Sequence, residues 1–236
     1  MKTYYEQLGS TGSPIIYLHG WGCDGSIFKP IVKRLRQFNN YLIDFAGFGQ
    51  SEQPPFDGWS VADYANQVID FLVEQCIGSA TFVGHSFGCR VAMVVAATRP
   101  ELVERMILVA PAGLRRFSLA RWIKVKVYKL RKKTGRLPSK QSGSEDYKNC
   151  SDGMKNTFVK VVNQDLSDFA KRVKCQTLIV NGRTDTATPL KHAKRLHRLI
   201  KNSELVEITG DHFAFFYSPQ AFAQTIQLFV EQERTL

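Results

Sequence analysis

The run Gly84-His85-Ser86-Phe87-Gly88 constrains this chain more than any other. It follows an apolar, strand-like stretch, Ala80-Thr81-Phe82-Val83. It precedes Val91-Ala92-Met93-Val94-Val95-Ala96-Ala97, which reads as a buried helix ending near Arg99-Pro100. A strand that turns straight into a helix around one serine leaves no room for side chains two residues to either side, and both positions are glycine. Such a turn lifts the Ser86 hydroxyl to the top of a sheet, at a helix N-terminus whose free N–H groups favour developing negative charge. A helix start with a capping serine would look the same locally, so the rest of the chain has to supply the partners of a nucleophile.

A serine nucleophile needs a base, and the base needs an orienting acid. Of five histidines, His19 and His85 lie inside glycine motifs, while His192 and His197 lie on a basic helical stretch after Pro189. His212 stands apart. It sits in Gly210-Asp211-His212-Phe213, after the strand-like Leu205-Val206-Glu207-Ile208 and before a helix that opens near Ser218-Pro219. A loop after the last strand is a fitting place for a general base. The acid is expected between serine and base in chain order. Thr177-Leu178-Ile179-Val180 reads as a buried strand, and the loop after it carries Asp185 before Thr188-Pro189 opens a helix. Asp185 is thereby placed at the carboxyl edge of a sheet, where open α/β sheets gather their ligands. Asp211 is its rival. Sequence neighbours rarely aim at each other's rings, so Asp185 is preferred.

Acyl chemistry also needs two N–H donors for an oxyanion. The residue after the nucleophile, Phe87, supplies one backbone amide. The strand Pro14-Ile15-Ile16-Tyr17-Leu18 followed by the turn His19-Gly20-Trp21-Gly22 supplies the other, assigned to the amide of Trp21. Trp21, His19 and Phe213 are expected beside the substrate, with the indole of Trp21 as a pocket wall.

With these motifs in order, the chain resembles the α/β-hydrolase fold serine hydrolases. The landmarks are His19-Gly20-Trp21-Gly22, Asp44 to Ser51, the Ser86 turn, Gly182-Arg183-Thr184-Asp185 and Gly210-Asp211-His212. Within that superfamily it is similar to small bacterial carboxylesterases, including the pimeloyl-acyl-carrier-protein methyl ester esterases, and more distantly to meta-cleavage product hydrolases. The resemblance implies an α/β fold with a mostly parallel central sheet flanked by helices. It also implies a helical cap inserted over the active site, with residues 1–112 and 173–236 as core and 113–172 as cap. Serine at the turn excludes the aspartate-nucleophile dehalogenases and epoxide hydrolases. Cys89, where relatives commonly carry another glycine, reads as structural.

Composition suits one well-buried α/β domain of 236 residues, 44% hydrophobic. The stretch Met1 to Glu6 has no apolar core followed by a cleavage site, and no apolar run nears the roughly 18 residues of a membrane span. Five cysteines share no metal or redox spacing. No cofactor or metal is expected, and the cytoplasm is the expected compartment.

Charge sets the chain apart. Its formal net charge is +11, and eleven of the 32 basic residues fall between Leu114 and Lys140 in a stretch without an acid. The remaining 21 bases match the 21 acids, so the whole excess belongs to this segment. A helix is expected from about Ser118 to Lys132, a polar break from Lys133 to Asn149, and a second helix from about Asp152 to Leu166, on which Met154, Phe158, Val161 and Val162 recur at helical spacing. The basic segment reads as a solvated face, as a dock for an acidic carrier protein through Arg121, Lys124, Lys129, Arg131 and Lys132, or as an anionic-membrane contact. No nucleic-acid reading module accompanies it.

The expected activity is hydrolysis of a carboxylic ester or thioester by Ser86, His212 and Asp185 through an acyl-enzyme. Cleavage of a C–C bond of meta-cleavage type is the enzymatic alternative. A non-catalytic small-molecule receptor on the same fold is the alternative of another class.

Overall fold

Helices or strands begin where the sequence changes period, and the resulting alternation builds a sheet covered on both faces. The computed structural model describes residues 1–114 and 145–232. Strands β1 (Tyr5–Leu8), β2 (Pro14–Leu18) and β3 (Asn39–Ile43) are joined by short turns and helix α1 (Lys29–Val32). Helix α2 (Val61–Glu74) leads to β4 (Ala80–His85), α3 (Phe87–Thr98) and β5 (Val103–Val109). Helices α4 (Glu145–Asn149), α5 (Asp152–Asn163) and α6 (Ser167–Arg172) follow, then β6 (Gln176–Gly182), α7 (Leu190–Leu199), β7 (Ser203–Ile208) and α8 (Pro219–Glu231).

The seven strands lie in the order β1-β3-β2-β4-β5-β6-β7. Only β1 runs antiparallel, pairing Tyr5 with Ile43; the other ladders are parallel. Parallel strands need helical crossovers, so both faces are buried and the central strands are apolar on both sides. Ile16 and Leu18 pack with Phe82 and the α2–α3 layer, while Ile15 and Tyr17 pack with Val83 and the α1–α8 layer. After β3 the chain crosses to the other side of β2 to lay down β4. That reversal opens a crevice at the carboxyl ends of β2 and β4.

Helix α2 starts at a reciprocal cap: the Ser60 side chain accepts from Asp63 N–H, and the Asp63 carboxylate accepts from Ser60 N–H at 2.7 Å. Its buried face carries Val61, Tyr64, Ala65, Val68 and Leu72, as the spacing predicts.

Two expectations for residues 133–166 change. Part of the expected polar break, Glu145–Asn149, is helical. The expected helix from Asp152 to Leu166 stops at Asn163, because Gln164 turns extended and Arg90 takes up the carbonyls of Val161 and Gln164. Leu166 then ties its N–H to Gly113 O and is fully buried. The expected helix from Ser118 to Lys132 and the basic residues Arg121, Lys124, Lys129, Arg131 and Lys132 lie outside the described residues.

Helix α5 docks on the loop before α2 through backbone groups of that loop. Lys160 Nζ donates to Gly58 O at 2.6 Å, Asn156 Nδ2 to Phe56 O at 3.0 Å, and Trp59 N–H to Thr157 Oγ1 at 3.0 Å.

The glycine after the Ser86 turn answers to packing on β2. A Cβ on Gly88 would lie 2.0 Å from Leu18 O, and one on Gly84 would lie 2.8 Å from Cys89 N. Gly88→Ala is expected to lower stability by about 3 kcal/mol, read as a fall in the denaturant midpoint. Gly153→Ala, on α5 where a Cβ meets nothing within 4 Å, should stabilise by up to about 1 kcal/mol.

Candidate active site

Four strands deliver one residue each to the same end of the sheet. Trp21 follows β2, Ser86 follows β4, Asp185 follows β6 and His212 follows β7. Ser86 has φ 49° and ψ −101°, a left-handed conformation that a serine enters only under constraint. Its N–H donates to Val109 O at 2.9 Å, so the neighbouring strand holds the turn.

Asp185 is buried, and its carboxylate is fully engaged. Oδ2 accepts from His212 Nδ1 at 2.8 Å and from the Thr188 hydroxyl at 2.7 Å; Oδ1 accepts from Thr188 N–H at 2.8 Å. Burial pushes this carboxyl up, but the hydrogen bonds from His212 and Thr188 outweigh it and hold the group below its ordinary value. In the neutral ring, with the donated proton on Nδ1 of His212, Nε2 keeps its lone pair. Asp211 is occupied elsewhere: Oδ1 accepts from Phe213 N–H at 2.9 Å and Oδ2 from the Tyr217 hydroxyl at 2.8 Å, on the exposed side of the loop.

Ser86 and His212 line one cavity of about 340 Å³ together with Trp21, Phe87, Phe158 and Phe213. The Trp21 indole is fixed edge-on by Phe48, Phe87 and Phe158, with ring centroids 4.9, 5.4 and 5.1 Å away. The amides of Trp21 and Phe87 have no hydrogen-bond acceptor among the described residues; the latter is an orphan donor of the first turn of α3. Among the described residues there is also no group of three or more His, Cys, Asp or Glu side chains able to hold a metal ion.

His19 does not reach the cavity, contrary to the expectation that it contacts substrate. It is wholly buried, its Nδ1–H donating to Gly20 O at 2.7 Å and its Nε2 accepting from Phe45 N–H at 3.0 Å. The ring ties the end of β2 to the end of β3. Burial pushes its pKa down to about 4, against the pull of the Gly20 carbonyl. Cys89 is likewise buried, its thiol directed at Gly84 O at 3.0 Å.

Two residues of the site escape a reading of motifs. Thr188 clamps Asp185; its signal is the D-x-x-T spacing of a side chain that bonds back across a tight turn. His85, beside the serine, has its Nε2–H on the carbonyl of His212 at 3.0 Å and its ring against those of His212 and Phe213 at 4.9 and 5.0 Å. Nothing local in the sequence announces a contact across 127 residues. Burial, then the neighbouring His212, pushes the His85 pKa down to about 3.

A mostly parallel sheet with a serine at a strand–helix turn and a histidine–carboxylate pair on later loops is the arrangement of the alpha/beta hydrolase fold, and this chain has that fold. The family model of the alpha/beta hydrolase fold matches residues 13–126, and that of TAP-like proteins matches residues 140–235. Across 253 residues, covering 94% of this chain and 96% of the relative, it is 24% identical to the pimeloyl-[acyl-carrier protein] methyl ester esterase of Vibrio vulnificus. It is 38% identical over 109 residues to an uncharacterized protein of Mycobacterium tuberculosis, a match covering 46% of this chain and 32% of that protein. The chain thus spans about a third of the length of the first curated relatives it matches. Among solved structures, an esterase from Exiguobacterium antarcticum has the same fold, with a TM-score of 0.78 at 21% identity over 98% of this chain and 96% of that one. Among the described residues no helix is long and apolar enough to cross a membrane.

The two buried histidines make stability depend on acidity. In the folded chain they stay neutral down to about pH 4 for His19 and about pH 3 for His85, whereas in the unfolded chain they protonate below about 6.5. The unfolded state therefore binds more protons between these limits, and stability falls as pH falls, by up to about 1.4 kcal/mol per pH unit for each ring. Urea unfolding at pH 7, 6 and 5 should show this decline, and His85→Gln should make it shallower. An unchanged slope would remove His85 as a source.

Proposed function

We propose that this chain is a cofactor-free serine hydrolase of the cytoplasm that cleaves a carboxylic ester or thioester. The observation that carries the reading is the 2.8 Å bond from His212 Nδ1 to the buried Asp185 carboxylate, with His212 and Ser86 on one cavity wall. In this reading Ser86 Oγ attacks the acyl carbon as His212 Nε2 takes its proton. The carbonyl oxygen becomes an oxyanion held by the amides of Trp21 and Phe87. His212 passes the proton to the leaving alcohol or thiol as the ester bond breaks, which leaves an acyl-serine. Water then gives a proton to His212 and its oxygen to the acyl carbon, and Ser86 regains its proton as the acid departs. Asp185 keeps the ring in the tautomer that frees Nε2 and stabilises it while it is charged.

Residues 1–112 and 173–236 form the catalytic core in this proposal, and residues 113–172 form a cap. The full-length relative in Vibrio vulnificus, named for an acyl-carrier-protein ester, supports an acyl ester as substrate and makes an acidic carrier protein the favoured partner of the basic segment.

Ser86→Ala should abolish labelling by a fluorophosphonate and lower kcat by several orders of magnitude, up to about 10⁶-fold. Asp185→Asn should cost on the order of 10⁴-fold. Asp211→Asn, which disturbs only the exposed bonds to Phe213 and Tyr217, should cost far less. A reversed order of the two aspartates would assign the acid to Asp211.

The basic segment is tested separately. Changing Lys124, Lys129, Arg131 and Lys132 together to Glu should leave hydrolysis of a short neutral ester within a few-fold. Activity on an acyl-carrier-protein ester should fall, and the parent's advantage should fade as salt shortens the screening length from about 10 Å at 0.1 M to about 3 Å at 1 M. Equal turnover of the carrier ester by both proteins would reduce the segment to a solvated surface.

A further inference from the structure

Helix α3 begins just after Ser86, and in its first turn Arg90 lines the same cavity. With Ser86 as the N-cap, the two residues are close in the chain. Besides Ser86, Thr188 and the two histidines, that cavity is lined mainly by apolar groups, among them Phe87, Ala112, Phe158, Val161 and Val162. A guanidinium in such a wall needs an explanation, because charge is costly to bury without a partner.

Part of the explanation is structural. Arg90 Nη1 donates to Val161 O at 3.0 Å and Gln164 O at 3.2 Å, at the end of α5 where helix carbonyls lack partners. That employs one nitrogen of three. Among the described residues, Nε and Nη2 have no hydrogen-bond partner. These two N–H groups point the same way from the guanidinium plane, and together they form the edge that matches the two oxygens of a carboxylate. Burial pushes Arg90 down to about 10, while the charge of Asp165 pulls it back up without a hydrogen bond. The group is a cation at neutral pH, its Nε–Nη2 edge has no partner among the described residues, and Arg90 lines the cavity that also holds Ser86.

We propose that Arg90 is a specificity-determining residue, whose Nε–Nη2 edge receives a carboxylate on the acyl chain, so that the preferred substrates are half-esters of short dicarboxylic acids. The proposal rests on the serine-hydrolase reading and adds the acyl class to it. In the proposal the anion lies on the acyl side of the scissile bond, within the cavity that Arg90 and Ser86 both line, and it survives as the second carboxylate of the product. Phe158 and Val161 border the same cavity, and apolar neighbours raise the worth of each charge-assisted bond.

The test uses the full chain and matched p-nitrophenyl esters. Hemisuccinate, hemiglutarate and hemiadipate are each compared with the neutral acyl ester of the same chain length. For the parent protein, kcat/KM should favour the carboxylate at least tenfold at one of the three lengths. In Arg90→Gln that ratio should fall to about one, and in Arg90→Lys, which keeps the charge but not the fork, it should fall in between. No preference in the parent, or a preference that survives Arg90→Gln, overturns the proposal. An equal loss on charged and neutral esters also overturns it, because it would limit Arg90 to anchoring α5.

Binding separates this idea from the reading beneath it. Calorimetry of monomethyl glutarate with Ser86→Ala reads the anion site without catalysis. Loss of binding on adding Arg90→Gln supports the site even if the parent hydrolyses no ester and resists fluorophosphonate, which would defeat the hydrolase reading alone. Unchanged binding in the double variant rejects the site. If Arg90→Gln proves unfolded by circular dichroism, the Arg90→Lys ratio decides: a ratio equal to the parent's tells against fork recognition, and a lowered one upholds it.

Discussion

The left-handed turn at Ser86 is the constraint on which the rest of the structure depends. A serine at φ 49° stores strain of order 1–3 kcal/mol, and no local contact can hold it there. The restraint comes from elsewhere: Val109 O accepts the Ser86 amide, and Gly88 lies so close to Leu18 O that no side chain fits. Helix α3 can start where it does only because β2 and β5 are already beside β4. The sheet therefore serves as the clamp of the turn. The crevice at its topological reversal places a glycine-rich strand end, at Gly20 and Trp21, opposite the hydroxyl that the turn exposes.

Three histidines near this crevice meet two electrostatic fates. His19 and His85 are buried with carbonyl acceptors on one nitrogen and are held neutral, so they act as shaped hydrogen-bonding pieces. His212 alone is backed by a carboxylate, and that carboxylate is anchored by Thr188 from both its amide and its hydroxyl. The difference lies in the neighbours rather than in the residue type. Burial holds His19 and His85 neutral against the pull of their carbonyl acceptors.

Much of this was legible in the sequence, for identifiable reasons. The pairing of Asp185 with His212 followed from strand-then-loop punctuation, since Gly182 and Gly210 mark the points where two strands end. The mostly parallel sheet followed from the resemblance that the ordered motifs carry, and α2 from its helical spacing. What escaped depends on distance. His85 finds the His212 carbonyl, and Arg90 the end of α5, only after segments far apart in the chain are packed. The same cause explains the misreading of His19: its place in a glycine turn suggested the pocket, but Phe45 N–H from the next strand draws it inward. Helix α5 was read too long because its end is fixed by Arg90 rather than by a glycine or proline at Gln164.

The docking of α5 has a consequence for how such a molecule can diversify. The loop before α2 holds this helix with the carbonyls of Phe56 and Gly58 and the amide of Trp59, groups that every residue except proline shares on the amide side. Most of the attachment therefore runs through backbone atoms, and the loop position it restricts is Gly58, where a Cβ would lie 2.5 Å from Thr157 N. On the opposite flank of the helix, Phe158, Val161 and Val162 face the cavity. Substitutions there can reshape what the crevice admits while the fastening stays intact, so ligand preference and architectural integrity are inherited through different atoms of one short helix.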